Sequence, residues 1–202
     1  MPIEFQVCRE PALLAQYYDL REQCFRDDLG LTDFDGSEEE QDRQGTILVA
    51  VENGRCIAGV RVSPLVTLVS QVQQLGLSRD GCCMWERFVF APSARTVSLI
   101  RAFIAYLIEQ SRHCGYQHAM ILSSHKNARF YRRCHTALGV DYQIHRPVPH
   151  CAEGKFAGLE HYLSVSYLNA PAAQALSPTA SANDRMNQTA SKGSAEHVAL
   201  NV

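Results

Sequence analysis

A hairpin signal near residue 50 constrains the fold of this chain more than any other feature. Two apolar runs, 46–51 and 56–62, flank the tetrapeptide Glu52-Asn53-Gly54-Arg55. Asn-Gly is the strongest short signal for a two-residue β-turn, because both central residues of that turn need a positive φ. The sequence therefore predicts two adjacent antiparallel strands.

Apolar spacing and the positions of Gly and Pro predict the remaining elements. In chain order these are a strand at 5–7, a helix from 11 to about 30, an acidic loop with a short helix at 33–42, a strand at 85–90, a helix from 97 to about 114, a strand at 119–123, a helix at 127–138, and strands at 142–145 and 161–168. Strands and helices do not alternate strictly, and neither GxGxxG nor GxxxxGK[ST] occurs, so a doubly wound nucleotide-binding fold is disfavoured.

Composition divides the chain into two parts. Residues 1–169 carry the periodic apolar pattern of one folded domain. Residues 170–202 contain nine Ala, four Ser and no aromatic residue. Such a segment cannot bury enough apolar surface to offset the entropy lost on ordering, so the sequence predicts a disordered tail.

Charge and hydropathy exclude several classes of function. Nineteen Lys and Arg residues against twenty-one Asp and Glu give a net charge of −2, which argues against nucleic acid as a partner. The longest apolar runs fall short of the roughly 20 residues that a membrane helix needs, so membrane insertion is not expected. The first residues lack the pattern of a secretory signal, and this predicts a cytoplasmic protein.

Eight cysteines are scattered without any CxxC pair. In a cytosolic chain of this length they are expected to be buried thiols rather than disulfides. Cys134-His135 and the segment around His145 and Cys151 raise the question of a zinc site. Neighbouring residues rarely supply four converging ligands, so no metal is predicted.

A resemblance to a known superfamily starts from one helix. Asn127-Ala-Arg-Phe-Tyr131 resembles the signature of Asn followed by Phe-Tyr in the GNAT acyltransferases, whose element order is the one given above. The resemblance implies an α+β fold of three layers, in which a mixed, mostly antiparallel sheet is flanked by helices. It also implies that the chain transfers an acyl group from a thioester to an amine.

Three further segments resemble the acyl-homoserine-lactone synthase and N-acyl amino acid synthase branch of that superfamily. Residues 20–31, Leu-Arg-Glu-Gln-Cys-Phe-Arg-Asp-Asp-Leu-Gly-Leu, are similar to its first helix, with Leu31 in place of a Trp. Gly59-Val60-Arg61 resembles its Arg-bearing third strand. Trp85-Glu86-Arg87-Phe88 resembles its Trp-Glu-x-x-Arg-Phe fourth strand with two residues missing.

Two departures from that pattern concern the acceptor. The branch's paired acidic motif is met loosely by Asp33, Asp35 and Asp42. The missing residues leave Glu86 and Arg87 adjacent, and neighbours on a regular strand point to opposite faces. Both side chains can serve one pocket only if a bulge intervenes. Because of these two departures, the acceptor is predicted only by class, as a small amine, an amino acid or a derivative of one.

The resemblance assigns site residues to three groups. The catalytic group contains Glu86 as general base, with a pKa raised by desolvation on an apolar strand, and Tyr131 as donor to the leaving thiolate. The substrate group comprises Arg21, Phe25, Asp42, Arg61 and Trp85, with Phe88 and Phe103 as further acyl-pocket candidates. The cofactor group comprises Phe88, Val89, Phe90, Ser93, Arg95, Thr96 and Asn127.

Each role has a plainer alternative. Glu86 could be a strand-surface carboxylate paired with Arg87 or Arg61, Tyr131 could only pack on the sheet, and the aromatic residues could be ordinary core. Arg21 could lie on a solvated helix face, and Asp42 in a solvated loop.

The implied co-substrate is an acyl-CoA or an acyl-phosphopantetheine thioester on a carrier protein, and no tightly bound cofactor is expected. The loop at 91–96 lacks the usual glycines of a pyrophosphate loop and offers Arg95, which favours the carrier protein as donor. An acetyl-CoA-dependent N-acetyltransferase is the nearest alternative function. A non-catalytic module that binds acyl thioesters is the other.

Overall fold

A computed structural model describes residues 2–148, 156 and 158–169. The predicted disordered tail, 170–202, lies outside the described residues, as does Cys151. The helices are α1 Pro11–Leu29, α2 Glu40–Gln44, α3 Val69–Gln74, α4 Val97–His113 and α5 His125–Ala137. The strands are β1 Glu4–Val7, β2 Thr46–Glu52, β3 Arg55–Pro64, β4 Cys82–Phe90, β5 His118–Ser123, β6 Asp141–Val148 and β7 His161–Tyr167.

The seven strands form one sheet in the order β1-β2-β3-β4-β5-β7-β6. Every neighbouring pair is antiparallel except β4 and β5, which run parallel. The helix α1 packs against β3 and β4 on one face, while α5 packs against β6, β7 and α4 on the other. The prediction of a mostly antiparallel α+β sheet flanked by helices is therefore confirmed.

Local chemistry sets the ends of the long helices. The first, α1, has Pro at its first position, and Gly30 follows it at φ 67°, a left-handed conformation that glycine adopts without strain. Thr96 caps α4 by accepting a hydrogen bond from the amide of Leu99, and Ser124 does the same for α5 through the amide of Asn127. The sequence analysis missed α3 and began β4 three residues too late.

The sheet opens between its two parallel strands. The strands β4 and β5 pair only where Cys82–Met84 lie beside His118–Met120. Beyond Met84, β4 continues to Phe90 without pairing to β5. The carboxyl ends of both strands lie at this open edge because the strands are parallel, and α4 and α5 begin shortly after those ends.

A β-bulge lies within the open part of β4. Arg61 pairs with Glu86 and Gly59 pairs with Val89, so one residue of β3 faces two residues of β4. Arg87, inside this irregularity, has φ 55°. A bulge with one residue in the left-handed region bends its strand and redirects the side chains around it.

Candidate active site

Arg61 and Glu86 form the ion pair at the centre of the α1 side of the sheet. They are cross-strand partners, so their side chains lie on the same face. The Glu86 carboxylate accepts hydrogen bonds at Oε2 from Nε of Arg61 at 3.2 Å, from Nη2 of Arg61 at 3.0 Å, and from the Ser63 hydroxyl at 2.8 Å. Glu86 thus lies in a polar, ion-paired setting rather than in the apolar surroundings that the base hypothesis assumed.

Glu39 connects Arg87 to this ion pair. Its carboxylate accepts a 2.7 Å hydrogen bond from Arg61 and two from Arg87, at 3.0 and 3.1 Å. Burial alone would raise the pKa of Glu39, but hydrogen bonds and charge from Arg87 and Arg61 outweigh it and lower that pKa to about 2. Glu39 is therefore ionised at neutral pH.

Arg21 and Asp42 form a fully buried pair behind this layer. Nη1 of Arg21 donates to both carboxylate oxygens of Asp42, at 3.1 and 3.0 Å, and the rest of the guanidinium donates to the carbonyls of Gly36 and Ser37. Asp42 also accepts from Arg61 at 3.0 Å. The prediction that Arg21 binds an acceptor carboxylate does not fit, because protein acceptors already occupy its donors. The alternative of a solvated helix face is wrong as well.

The network contains three guanidinium groups and three carboxylates, and their exposure to solvent separates an inner from an outer layer. The side chains of Arg21, Asp42 and Arg61 are at most 1% exposed, whereas Glu86, Arg87 and Glu39 are 24%, 16% and 12% exposed. A small molecule can therefore reach only the outer members. Among the described residues, nothing hydrogen-bonds to Oε1 of Glu86.

The bulge explains how Glu86 and Arg87 join one network although they are adjacent. On a regular strand they would point to opposite faces, but the bulge lets Arg87 turn back to Glu39. The Arg87 guanidinium also lies over the ring of Phe156 at 4.6 Å. This is the bulge that the sequence analysis required if both side chains were to serve one pocket.

A small cavity lies on the opposite face of the sheet, beneath α4 and α5. Its volume is about 10 Å³, close to the space of one water molecule. The residues around it are Trp85, Phe88, Ile104, Leu107, Ile121, Tyr131 and His135. The structure therefore brings three predicted residues together here: Trp85, Phe88 and Tyr131.

Two other aromatic candidates lie away from this cavity. Phe25 lies on the α1 face, where it stacks on Phe34 with ring centroids 4.7 Å apart. Phe103 packs behind Phe88 at 5.8 Å, as part of the core. Trp85 is placed by a 3.0 Å hydrogen bond from its ring N–H to the Ser111 hydroxyl, so it faces the cavity rather than the ion-pair network.

Tyr131 has a buried hydroxyl with no hydrogen-bond partner among the described residues. Burial raises the pKa of Tyr131 well above its usual value. The phenol is therefore protonated at neutral pH and can donate a hydrogen bond.

The residues predicted to hold the cofactor surround the open edge of β4. Ser93 and Thr96 are exposed before α4, while Asn127 is buried in the first turn of α5. The side chains of Phe88, Val89 and Phe90 are buried, so a ligand at this edge would meet their main chain rather than their side chains.

Arg95 is positioned differently from the prediction. Its guanidinium forms an ion pair with Asp28 of α1, with one contact at 3.0 Å, and donates to the carbonyl of Phe90 at 3.0 Å. It therefore fastens the loop after β4 to α1 and has little donor capacity left for a phosphate.

Three further findings concern thiols, metal ions and membrane crossing. Seven cysteines are described and all are free; Cys114 is exposed and Cys56 is half-buried, while the other five are buried. Within the described ranges, no cluster of His, Cys, Asp and Glu could hold a metal ion. No helix in the same part of the chain combines the length and apolarity that crossing a membrane requires.

Comparison with known proteins agrees with this architecture. The model of the Acetyltransferase (GNAT) family matches residues 14–136, which is more than half of the chain. The chain belongs to the GNAT acetyltransferase family. That membership supports an acyltransferase enzyme, as the sequence resemblance implied. No curated protein matches the sequence.

Solved structures similar to this GNAT protein include both acetyltransferase-type and synthase-type members. The AHL synthase LasI superimposes with a TM-score of 0.60 and 15% identity, covering 83% of this chain and 91% of LasI. The CoA-dependent acyl-homoserine lactone synthase BjaI, solved with MTA, gives 0.58 and 15%, covering 78% and 77%. The yncA protein of Salmonella typhimurium, solved with its cofactor acetyl-CoA, gives 0.59 and 16%, covering 88% and 100%. At these identities the likeness establishes the fold.

Sequence reasoning missed three residues of this GNAT site. Glu39 was passed over in favour of other acidic residues, although the Glu39-x-x-Asp42 spacing resembles a capping box, and the Glu39 amide does donate to Asp42 at 2.7 Å. Arg87 was named only as a neighbour of Glu86. His135 was considered only as a metal ligand, and no local signal marks it as part of a cavity wall.

Proposed function

We propose that this GNAT protein transfers an acyl group from a thioester to the amine of a small acceptor, an amino acid or a derivative of one. One observation carries the proposal: the bulge in β4 lies where the sheet is open between β4 and β5. A thioester in this opening would lie between two chemically different faces. One carries the partly exposed carboxylates and Arg87, and the other carries Tyr131.

The acceptor would bind at the outer layer of the ion-pair network. Glu86 and Glu39 offer carboxylates to an ammonium group, and Arg87 offers a guanidinium to a carboxylate. An amino acid carries both groups. Because three cations already balance three carboxylates, a zwitterion can bind without adding an unpaired charge.

Glu86 supplies the base and Tyr131 the hydrogen-bond donor that the reaction needs. Glu86 takes a proton from the ammonium, through its Oε1 atom, so that the amine can attack the thioester carbonyl. The new N–C bond forms as the C–S bond breaks, and a second proton passes from the attacking nitrogen to the sulfur, which leaves as a thiol. The Tyr131 hydroxyl donates a hydrogen bond to the leaving sulfur, which stabilises the developing thiolate.

An anionic donor is favoured by the exposed face of α5. This face carries Lys126, Arg129, Arg132 and Arg133, the helix contains no acidic residue, and these four make no salt bridge within the described residues. Since α5 begins at the open edge of the sheet, its cations flank the entrance. They favour a phosphopantetheine thioester on an acidic carrier protein as the acyl donor. This reason replaces the one from Arg95, which is paired with Asp28.

An acetyl-CoA-dependent N-acetyltransferase is the second candidate, and the cavity favours it. A space of about 10 Å³, close to that of one water molecule, has no room for a long acyl chain unless Trp85 or Phe88 is displaced. The difference between the two candidates is therefore one of acyl length and carrier.

The test is to incubate the protein with acetyl, butyryl and octanoyl thioesters of CoA and of carrier protein, together with amino acids, and to identify products by mass spectrometry. Glu86→Gln is expected to lower turnover by about 100-fold or more while thioester affinity changes little. The control is Glu4→Gln, an exposed residue of β1. Unchanged turnover would remove Glu86 from the mechanism. Thioester binding without any acylated product would favour the non-catalytic module.

A further inference from the structure

Three buried polar side chains lie between α5 and the sheet with no hydrogen-bond partner among the described residues. The unpartnered atoms are the hydroxyls of Tyr131 and Ser166 and Nε2 of His135. Leaving a buried polar group unpaired destabilises the fold, and native proteins contain few such groups. Their concentration in one place calls for a partner that binds there.

The sheet register places these groups around the cavity. Ser164 pairs across the strands with Ile121 of the cavity wall, and Ser166 pairs with Tyr142. Paired residues present their side chains to the same face. Since α5 packs on β6 and β7 and carries Tyr131 and His135, the polar groups and the cavity share the α5 side of the sheet.

The protonation of His135 follows from its contacts. Its Nδ1 lies 2.8 Å from the main-chain carbonyl of Tyr131, and a carbonyl can only accept, so Nδ1 carries a hydrogen. Burial lowers the pKa of His135 to about 4, so the ring is neutral at physiological pH. Its Nε2 is consequently a bare acceptor, which only a donor can satisfy.

The residues nearest to His135 do not supply that donor. The Tyr142 ring lies 4.4 Å away, between ring centroids, but its hydroxyl interacts with Ser164 instead. The Trp85 ring lies 6.0 Å away, and its N–H already donates to Ser111. A group that occupies the cavity therefore satisfies Nε2 only if it brings an O–H or N–H of its own.

We infer that the cavity is a specificity subsite for the hydroxyl group of a short hydroxylated acyl chain, whose O–H takes the space of one water molecule and donates to Nε2 of His135. This inference rests on the proposed acyl transfer and names the class of acyl group. An unsubstituted acyl chain leaves Nε2 unpaired. An oxo-substituted chain does the same, because a ketone oxygen has no proton to donate.

The experiment compares three pantetheine thioesters of equal chain length: 3-hydroxybutyryl, butyryl and 3-oxobutyryl. Dissociation constants are measured by calorimetry and kcat/KM values with an amino acid acceptor. The wild type is expected to prefer the hydroxylated thioester by about tenfold or more over both others in each measurement. His135→Phe is expected to bring these ratios close to one.

Two further variants distinguish loss of the hydrogen-bond acceptor from general damage to the fold. His135→Gln keeps a side-chain acceptor and is expected to restore part of the preference. His113→Phe is the matched control, because His113 makes the same contact to a carbonyl four residues back, that of Glu109 at 2.9 Å, but on the exposed face of α4. It is expected to leave the preference intact.

The binding measurement separates this inference from the proposed function. If no amine is acylated but the hydroxylated thioester still binds more tightly and loses that advantage in His135→Phe, the subsite stands and the proposed reaction fails. Equal affinities for the three thioesters, or binding of none, would overturn the subsite and assign the polar cluster to buried water.

Discussion

The hydroxyl of Tyr17 donates a 3.1 Å hydrogen bond to the main-chain carbonyl of Arg87, the bulge residue with positive φ. Tyr17 belongs to α1 and is fully buried. A single contact between layers thereby supports the strained backbone that directs Arg87 toward Glu39. The geometry of the site depends on how α1 packs on the sheet.

Tyr17→Phe is expected to lower the free energy of unfolding by about 1–2 kcal/mol, because the Arg87 carbonyl loses its buried donor. Urea denaturation measures this change. Tyr18→Phe is the control, since the Tyr18 hydroxyl makes no hydrogen bond in the described part of the chain. Equal effects of the two changes would show that the Tyr17 contact does not support the bulge.

Gly59→Ala is expected to destabilise the protein by about 1–3 kcal/mol through overpacking. A Cβ at Gly59 would overlap Cδ2 and Cε2 of the Tyr17 ring, which occupies the space beside the strand there. Gly81→Ala is the matched control, because its Cβ would come no closer than 3.6 Å to Gln117. Thermal unfolding of the two variants gives the comparison, and a Gly59→Ala protein as stable as the wild type would contradict the packing described here.

Glu39 is expected to make stability fall in acid. Its folded-state pKa of about 2 lies below the ordinary 4.5, so the unfolded chain binds the proton first as the pH falls. The contribution, on the order of 3 kcal/mol, is present above pH 4.5 and is lost as the pH falls toward 2. Denaturation midpoints measured from pH 7 to pH 2 test this. The loss of stability in acid should be smaller in Glu39→Gln and unchanged in Glu38→Gln, where Glu38 is an exposed neighbour.

Arg95→Ala is expected to cost about 3 kcal/mol of stability, because it leaves the largely buried Asp28 carboxylate without its partner. A double-mutant cycle with Asp28→Ala should show strong coupling, whereas Arg43→Ala, at the exposed pair with Glu38, should change little. The KM for the thioester, measured alongside, should stay near the wild-type value. A several-fold rise in KM without loss of stability would restore Arg95 as a phosphate ligand.

Reversing the positive charge on α5 tests whether the acyl donor is a carrier-protein thioester. The double variant Arg129→Glu, Arg132→Glu is expected to raise KM for a carrier-protein thioester about tenfold at low salt, with a weaker effect at high salt. Turnover of the same acyl group on free pantetheine should not change. Arg55→Glu, on the exposed hairpin, is the control. A loss confined to CoA thioesters would move the donor to CoA.

Apart from α3, the elements and their order could be read from the sequence because their causes are local. The Asn53-Gly54 turn does form the hairpin of β2 and β3, with φ values of 53° and 75°. The apolar period of α4 places Phe103 and Leu107 in the core. Turn chemistry and hydrophobic periodicity act over a few residues, so they identify an element without knowledge of its partners.

The assignment of site residues was less complete because ion pairs join distant segments. Arg21, Asp42, Arg61 and Glu86 were all singled out, yet the sequence could not show that the first three are buried and bonded to one another. It also could not show that Arg95 faces Asp28, which lies 67 positions earlier in the chain. Side chains like these acquire partners only when helices pack on the sheet.

The sequence by itself determined the kinds of element, their order and the GNAT resemblance, since each depends on short-range pattern. Only the tertiary structure decided which side chains line the candidate site. The bulge at Arg87 is set by a one-residue difference in register between β3 and β4, and the cavity beside His135 exists because α5 packs over β6 and β7. Register and packing are long-range properties, stabilised by burial between segments far apart in the chain, and no local pattern encodes them.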